Sequence, residues 1–271
     1  MDYQRAMKLD GKGYVVLGAG QGIGLAACLA LAGQGARILC VDRDTALAEA
    51  AAEATGGYAE TADILSEAAI ARVFEHAQEV LGTSFGGFVD IVGMADLRPI
   101  SAFTEAEWDN QFALIVRHAF FAMKHAAPLY PLEGGTAVFV SSVAGIRSFV
   151  DQAVYGAAKA ALNHFIATAA LEFGPAGIRV NGVAPGLTLT PRIKAVLSAE
   201  RLETLAGTVP LRRHGCPEDI AAAILFLSTE LSHAVTGVVL PVDGGLSNVG
   251  ALPDLNVGAG FLKAAEKGCP A

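Results

Sequence analysis

The chain has 271 residues, a formal net charge of −8, 53% hydrophobic and 17% charged residues. Such a composition builds a well-buried core and excludes a disordered chain. The acid excess, without any basic run, argues against nucleic acid or an anionic membrane surface as a partner.

The N-terminus "MDYQRAMKLDGKGYVV" lacks an apolar signal core, and no apolar run approaches the roughly 18 residues of a membrane span. The chain therefore reads as soluble and cytoplasmic. From residue 13 onward, short runs rich in Val and Ile alternate with Ala-rich segments. "GYVVLG" (13–18) is a predicted strand and leads through a glycine-rich turn into a helix over 22–33. "ARILCVD" (36–42) is the next strand, followed by helices over 44–54 and 66–80 and the strand "FVDIVG" (88–93). A long helix over 104–126 precedes the strand "TAVFVSS" (136–142), and a helix over 154–173 precedes "IRVNGVAP" (178–185). Residues 186–211 are less regular and are read as a lid. A helix over 217–229 opens on Pro217, and "GVVLPVDGG" (237–245) is the last strand. Strands apolar on both faces, alternating with helices, predict a doubly wound parallel sheet with helices on both faces, an α/β fold in three layers. Without a linker or repeat, residues 1–271 read as one domain, with 250–271 as a C-terminal extension.

Three features carry chemistry. The turn with Gly18, Gly20, Gly22 and Gly24 lets bare backbone N–H groups approach a pyrophosphate at a helix N-terminus. Asp42, 18 residues after Gly24, stands where an acid accepts hydrogen bonds from an adenosine ribose. A carboxylate there repels a 2′-phosphate and favours NAD over NADP, although the adjacent Arg43 could pair with that phosphate. The third feature is Tyr155 and Lys159, one helical turn apart, with Ser142 at the end of the preceding strand. An ammonium beside a phenol favours the phenolate, which serves as a base near neutral pH. Ser142 would hydrogen-bond a substrate oxygen while hydride moves to or from the cofactor.

With these residues in place, the sequence resembles the short-chain dehydrogenase/reductase family along nearly its whole length, from "LDGKGYVVLGAGQGIG" to "TGVVLPVDGG". The resemblance implies a Rossmann-like fold and a secondary alcohol/ketone oxidoreductase. It makes "GAGQGIG" the cofactor loop, with Gly18, Gln21, Gly22, Ile23 and Gly24. It places Asp63 and Ile64 beside adenine, and Gly93 near the ribose. Pro185, Gly186, Thr188 and Thr190 would border the nicotinamide. Ser142, Tyr155 and Lys159 match the catalytic serine, tyrosine and lysine, the last two also touching cofactor. A homo-oligomer, tetramer or dimer, is implied too, with helices around 104–126 and 154–173 at its interface.

The chain departs from the family in three places. Leu17 replaces a threonine before the glycine turn. "GMAD" (93–96) stands for Asn-Asn-Ala-Gly. Ile115 occupies the position of an asparagine that anchors a water linking the lysine to solvent, so the usual relay is re-routed, slowed or absent; the expectation is that Ser142, Tyr155 and Lys159 still catalyse hydride transfer, with the proton leaving by another path. His118, one turn further along, is either a substitute or a packed core residue. Asn110 lies more than a turn away. The four cysteines (Cys28, Cys40, Cys216, Cys269) and the histidines show no ligand spacing, and no metal is expected. Leu187, Leu189, Ile193, Val196 and Leu197 suggest a hydrophobic or cyclic substrate: steroid-like, terpenoid or an aromatic diol. Two alternatives stay open, an NADP-linked ketone reductase and a non-catalytic nucleotide-sensing or scaffold protein.

Overall fold

The computed structural model describes residues 2–248; the extension expected at 250–271, with Cys269, lies outside the described residues. Seven strands form one sheet: β1 (Gly13–Leu17), β2 (Arg37–Asp42), β3 (Tyr58–Thr61), β4 (Phe85–Asp90), β5 (Gly135–Val140), β6 (Ile178–Pro185) and β7 (Val239–Val242). Their order is β3-β2-β1-β4-β5-β6-β7, and every pairing is parallel. The helices are α1 (Tyr3–Ala6), α2 (Ile23–Ala32), α3 (Thr45–Thr55), α4 (Glu67–Leu81), α5 (Glu105–Phe112), α6 (His118–Ala126), α7 (Ala153–Phe173), α8 (Pro191–Val196), α9 (Ala199–Ala206) and α10 (Pro217–Ser228).

Parallel strands covered on both sides must be apolar on both faces. Every residue of β1 and β4 is buried, and their side chains divide between two cores. One core joins Val15, Leu17, Phe88 and Phe139 to α4, α6 and α7; the other joins Val16, Val89 and Val138 to α2, α3 and α10. The expected three-layer, doubly wound arrangement is present. Because β1 lies between β2 and β4, the winding reverses there and opens a crevice at the C-terminal strand ends, where ligands of such sheets bind.

Several local features differ from the sequence reading, among them α1, which has no predicted counterpart, and β7, shorter than the expected 237–245. β3 has no predicted counterpart: it is a four-residue edge strand with two exposed and two half-buried residues, so it carries no apolar run. β4 begins at Phe85 rather than 88, because Gly86 and Gly87 conceal a strand whose backbone packs closely against Lys12 and Thr136. The helix expected over 104–126 is interrupted by a π-helical turn at Ala113–Arg117 between α5 and α6. Finally, 186–211 contains two short helices, capped at their N-termini by the Thr190 and Ser198 hydroxyls.

Candidate active site

The glycine turn is built by close approach. A Cβ on Gly24 would stand 1.9 Å from the Gly18 carbonyl oxygen, and one on Gly20 would stand 2.5 Å from Leu47 Cβ and 2.7 Å from Asp42 Oδ2. Free of that Cβ, the Gly20 N–H donates to Asp42 Oδ2 at 3.0 Å, while the Asp44 N–H donates to Asp42 Oδ1 at 3.1 Å. Both carboxylate oxygens are thus held by backbone at the rim of the crevice. That crevice is a cavity of about 410 Å³. Its lining includes Gly18, Gln21, Asp42, Asp63, Ile64 and Gly93, six of the residues expected to hold a dinucleotide; Arg43 and Asn110 also face it. Gly22, Ile23, Gly24, Tyr155, Lys159, Pro185, Gly186, Thr188 and Thr190 do not line it. Thr190 nevertheless closes on the turn, with its Cγ2 3.2 Å from where a Gly22 Cβ would be. Bare backbone at a helix start, a backbone-held carboxylate lining the crevice and this volume fit a nicotinamide dinucleotide.

On the other side of β4, Ser142 leaves the end of β5 and turns onto α7. Its Oγ accepts from the Ala144 N–H at 3.1 Å. The turn over 143–145 can pack directly on the helix because Gly145 and Gly156 lack side chains: their Cβ atoms would stand 2.7 Å from the Lys159 carbonyl carbon and 2.9 Å from the Ala144 carbonyl oxygen. Asn163 ties the same turn down, donating to the Gly145 carbonyl at 3.1 Å and accepting from the Ser141 hydroxyl at 2.5 Å. Lys159 is 2% exposed, and its Nζ donates to the Val140 carbonyl at 2.7 Å. The same ammonium lies 5.9 Å from the centre of the Tyr155 ring. Ser142, Tyr155 and Lys159 therefore gather as the sequence predicts.

Their electrostatics need a correction. The sequence reading has Lys159 making the phenol acidic. Instead burial raises the Tyr155 pKa, with the Ser142 hydroxyl pulling it partly back. Burial also lowers Lys159 from 10.5 to about 8, opposed by the charge of Asp90. Removal from water therefore sets the direction for both groups, with the ammonium nearly 6 Å from the centre of the ring.

The "GMAD" departure has a structural account. A Cβ on Gly93 would stand 3.0 Å from Lys159 Nζ and 3.1 Å from Ile115 Cδ1, so Gly93 makes room for both. Asp96 receives two hydrogen bonds from Arg98, at 2.8 and 2.7 Å, and Arg98 also reaches Glu107 at 2.5 Å. Gln111 brackets the segment, donating to the Met94 carbonyl at 2.8 Å and accepting from the Asp96 N–H at 3.0 Å. The Met94 sulfur touches Arg192 of α8 across the mouth of the cavity. Sequence reasoning missed this brace, although the acid in place of glycine at 96 was its visible sign. Ile115 is wholly buried in the core with α7, and His118 lies beside Asp90.

Comparison with known proteins gives the family and the fold. A family model described as enoyl-(acyl carrier protein) reductase matches residues 18–247. Galactitol 2-dehydrogenase (L-tagatose-forming) of Cereibacter sphaeroides is 34% identical over 252 residues, covering 90% of this chain and 98% of that protein. 2-(S)-hydroxypropyl-CoM dehydrogenase 3 of Xanthobacter autotrophicus is 33% identical, covering 89% and 99%. The solved structure of 7α-hydroxysteroid dehydrogenase with NADH and 7-oxo glycochenodeoxycholic acid superposes with a TM-score of 0.86 at 30% identity, covering 92% of this chain and all of that one.

Proposed function

The chain belongs to the short-chain dehydrogenase/reductase family, and from that premise we propose that it is an NAD-dependent oxidoreductase interconverting a secondary alcohol and a ketone. The observation that carries the reading is the placement of Lys159. Its Nζ lies about one atom's reach from Gly93, which lines the dinucleotide cavity, and beside Tyr155 on the substrate side. A bound nicotinamide dinucleotide supplies the hydride acceptor or donor and, when oxidised, a positive charge that favours the phenolate.

The residues divide the remaining work. Ser142 holds the substrate oxygen. Tyr155 gives its proton to a ketone oxygen, or takes one from an alcohol, and burial keeps the resting phenol protonated, ready for the first of these. Lys159, fixed on the Val140 carbonyl, keeps its charge near the ring. Gly18, Gln21, Asp42, Asp63, Ile64 and Gly93 hold the dinucleotide, with Asp42 on the adenosine ribose; Gly22, Ile23, Gly24, Pro185, Gly186, Thr188 and Thr190 border it from the turn and the lid at 186–211.

The substrate is hydrophobic or cyclic. Ile100 and Val150 are exposed along a shallow opening that Arg98, Pro99 and Phe149 also line, and Leu97 and Val196 are exposed as well. Exposed apolar side chains clustered at a cleft mark a surface that an apolar ligand covers. The bile-acid ligand of the similar dehydrogenase structure supports this class. An NADP-linked reductase is the second reading, favoured by exposed Arg43 on the cavity wall. No helix of the described residues is long and apolar enough to cross a membrane. We place the enzyme in the cytoplasm as a homo-oligomer.

A panel of steroid, terpenoid and aromatic-diol alcohols, assayed with NAD and with NADP by the absorbance of the reduced cofactor, tests the reading. Turnover preferring NAD supports it. Cofactor binding without turnover across the panel would instead make the protein a nucleotide sensor or scaffold.

A further inference from the structure

Among the described residues, only three side chains of the Asp, Glu, His, Lys and Arg types are buried: Asp90, His118 and Lys159, at 3%, 2% and 2% exposure. All three lie on the same side of the sheet. Asp90 ends β4, in register between Leu17 and Phe139, two residues beyond Phe88 and so on the same face. That face is covered by α6, which carries His118, and by α7, which carries Lys159. Asp90 Oδ1 accepts from the Val92 N–H at 3.1 Å, and Oδ2 lies 2.9 Å from His118 Nε2. That last contact is close but poorly directed, and neither ring nitrogen has a directed hydrogen bond among the described residues.

Asp90 and His118 are in contact, and Lys159 is buried on the same side of the sheet, so a carboxylate, an imidazole and an ammonium share one mainly apolar core. A buried charge without a partner is strongly unfavourable. The arrangement free of net charge that also keeps Lys159 cationic has an ionised Asp90 and a neutral His118. We infer that Asp90 is the buried countercharge that holds Lys159 as an ammonium, with His118 as the neutral donor that keeps the carboxylate in place. Asp90 and His118 are positioning residues, acting through Lys159.

The surroundings supply no competing charge. The buried side chains of α4 on this side are Ala69, Ile70, Val73, Phe74, Ala77 and Leu81; the flanking strand residues are Leu17 and Phe139; from α7 only Tyr155 joins Lys159 as a titratable neighbour. Asp90 is also the one charge that opposes the effect of burial on Lys159. Ile115, between α5 and α6, cannot form a hydrogen bond, and the Val140 carbonyl that accepts from the Lys159 Nζ at 2.7 Å carries no net charge, so neither balances the ammonium.

The test is direct titration of Lys159 in the unliganded protein, independent of turnover. In protein labelled with ¹³C-lysine, the Lys159 Cε resonance is identified by its absence in Lys159→Met and followed against pH. Asp90→Asn, isosteric and still able to accept from Val92, lowers the midpoint by about one unit or more. His118→Gln, which keeps a donor near Asp90, leaves it within roughly half a unit of wild type. An unmoved midpoint in Asp90→Asn overturns the inference. So does a rise of about one unit in His118→Gln, since an imidazolium would then have been the partner of Asp90. If Asp90→Asn does not fold, the Asp90 carboxyl resonance decides: it protonates at higher pH in Lys159→Met than in wild type if the two charges are paired, and is unshifted if they are not. These shifts appear whether or not the protein turns over an alcohol, so failure of the proposed activity and failure of this inference give different results.

Discussion

Gly93 and Ile115 are packed so closely that one residue's lack of a side chain makes room for the other's: a Cβ at 93 would lie 3.1 Å from Ile115 Cδ1 and 3.0 Å from Lys159 Nζ. Two departures from the family, in different parts of the sequence, are therefore one feature of the structure.

Gly93→Ala should destabilise the fold by roughly 1–3 kcal/mol through overpacking and displace the Lys159 ammonium. Ile115→Val removes the offending Cδ1 and, alone, should cost about 0.5–1.5 kcal/mol. In the double variant the two effects should be less than additive. Denaturant unfolding of the four proteins checks this, and strict additivity would show that the two sites do not compete for space.

Burial of Lys159 fixes the sign of a pH effect on stability. The unfolded chain holds this proton up to about 10.5, the folded chain only to about 8. Between those values the unfolded state binds more protons, so raising the pH favours the folded state. The stability of wild type relative to Lys159→Met should accordingly rise from pH 8 to 10.5, by up to about 3 kcal/mol. Urea midpoints across that window measure it; a fall would mean that the ammonium is not desolvated.

Asp42 should set cofactor choice. Its oxygens are held by the Gly20 and Asp44 N–H groups, which aim the carboxylate at the rim. Loss of a charge-assisted hydrogen bond is worth about 1.5–3 kcal/mol, so Asp42→Ala should lower kcat/KM with NAD by roughly 10- to 100-fold. NADP should gain, since the repulsion goes and Arg43 stays. Initial rates with both dinucleotides decide; an unchanged ratio would remove Asp42 from the ribose.

The layout of the site was legible because its parts are local. Tyr155 and Lys159 share a helix, Ser142 ends a strand, and the glycines crowd one turn, so spacing alone brings each group together. What sequence could not show depends on distant chain segments. β3 is too short and too polar to stand out, and its identity comes from pairing with β2. The π-helical turn divides a segment whose periodicity is continuous. Asp90 and His118 are unremarkable singly and become a pair only when α6 crosses β4. The effect of burial on Tyr155 was hidden for a related reason: spacing gives the distance between two groups and says nothing of how much water surrounds them.

The central claim is that Tyr155 moves the substrate proton beside a bound dinucleotide, and Tyr155→Phe tests it with turnover and NADH binding measured on the same preparation. The ring, and hence its packing on the core, is retained. Turnover of an alcohol accepted by wild type should fall by about 10²–10⁴-fold, with NADH affinity changed far less. Undiminished turnover in a well-folded variant that still binds NADH would contradict the account.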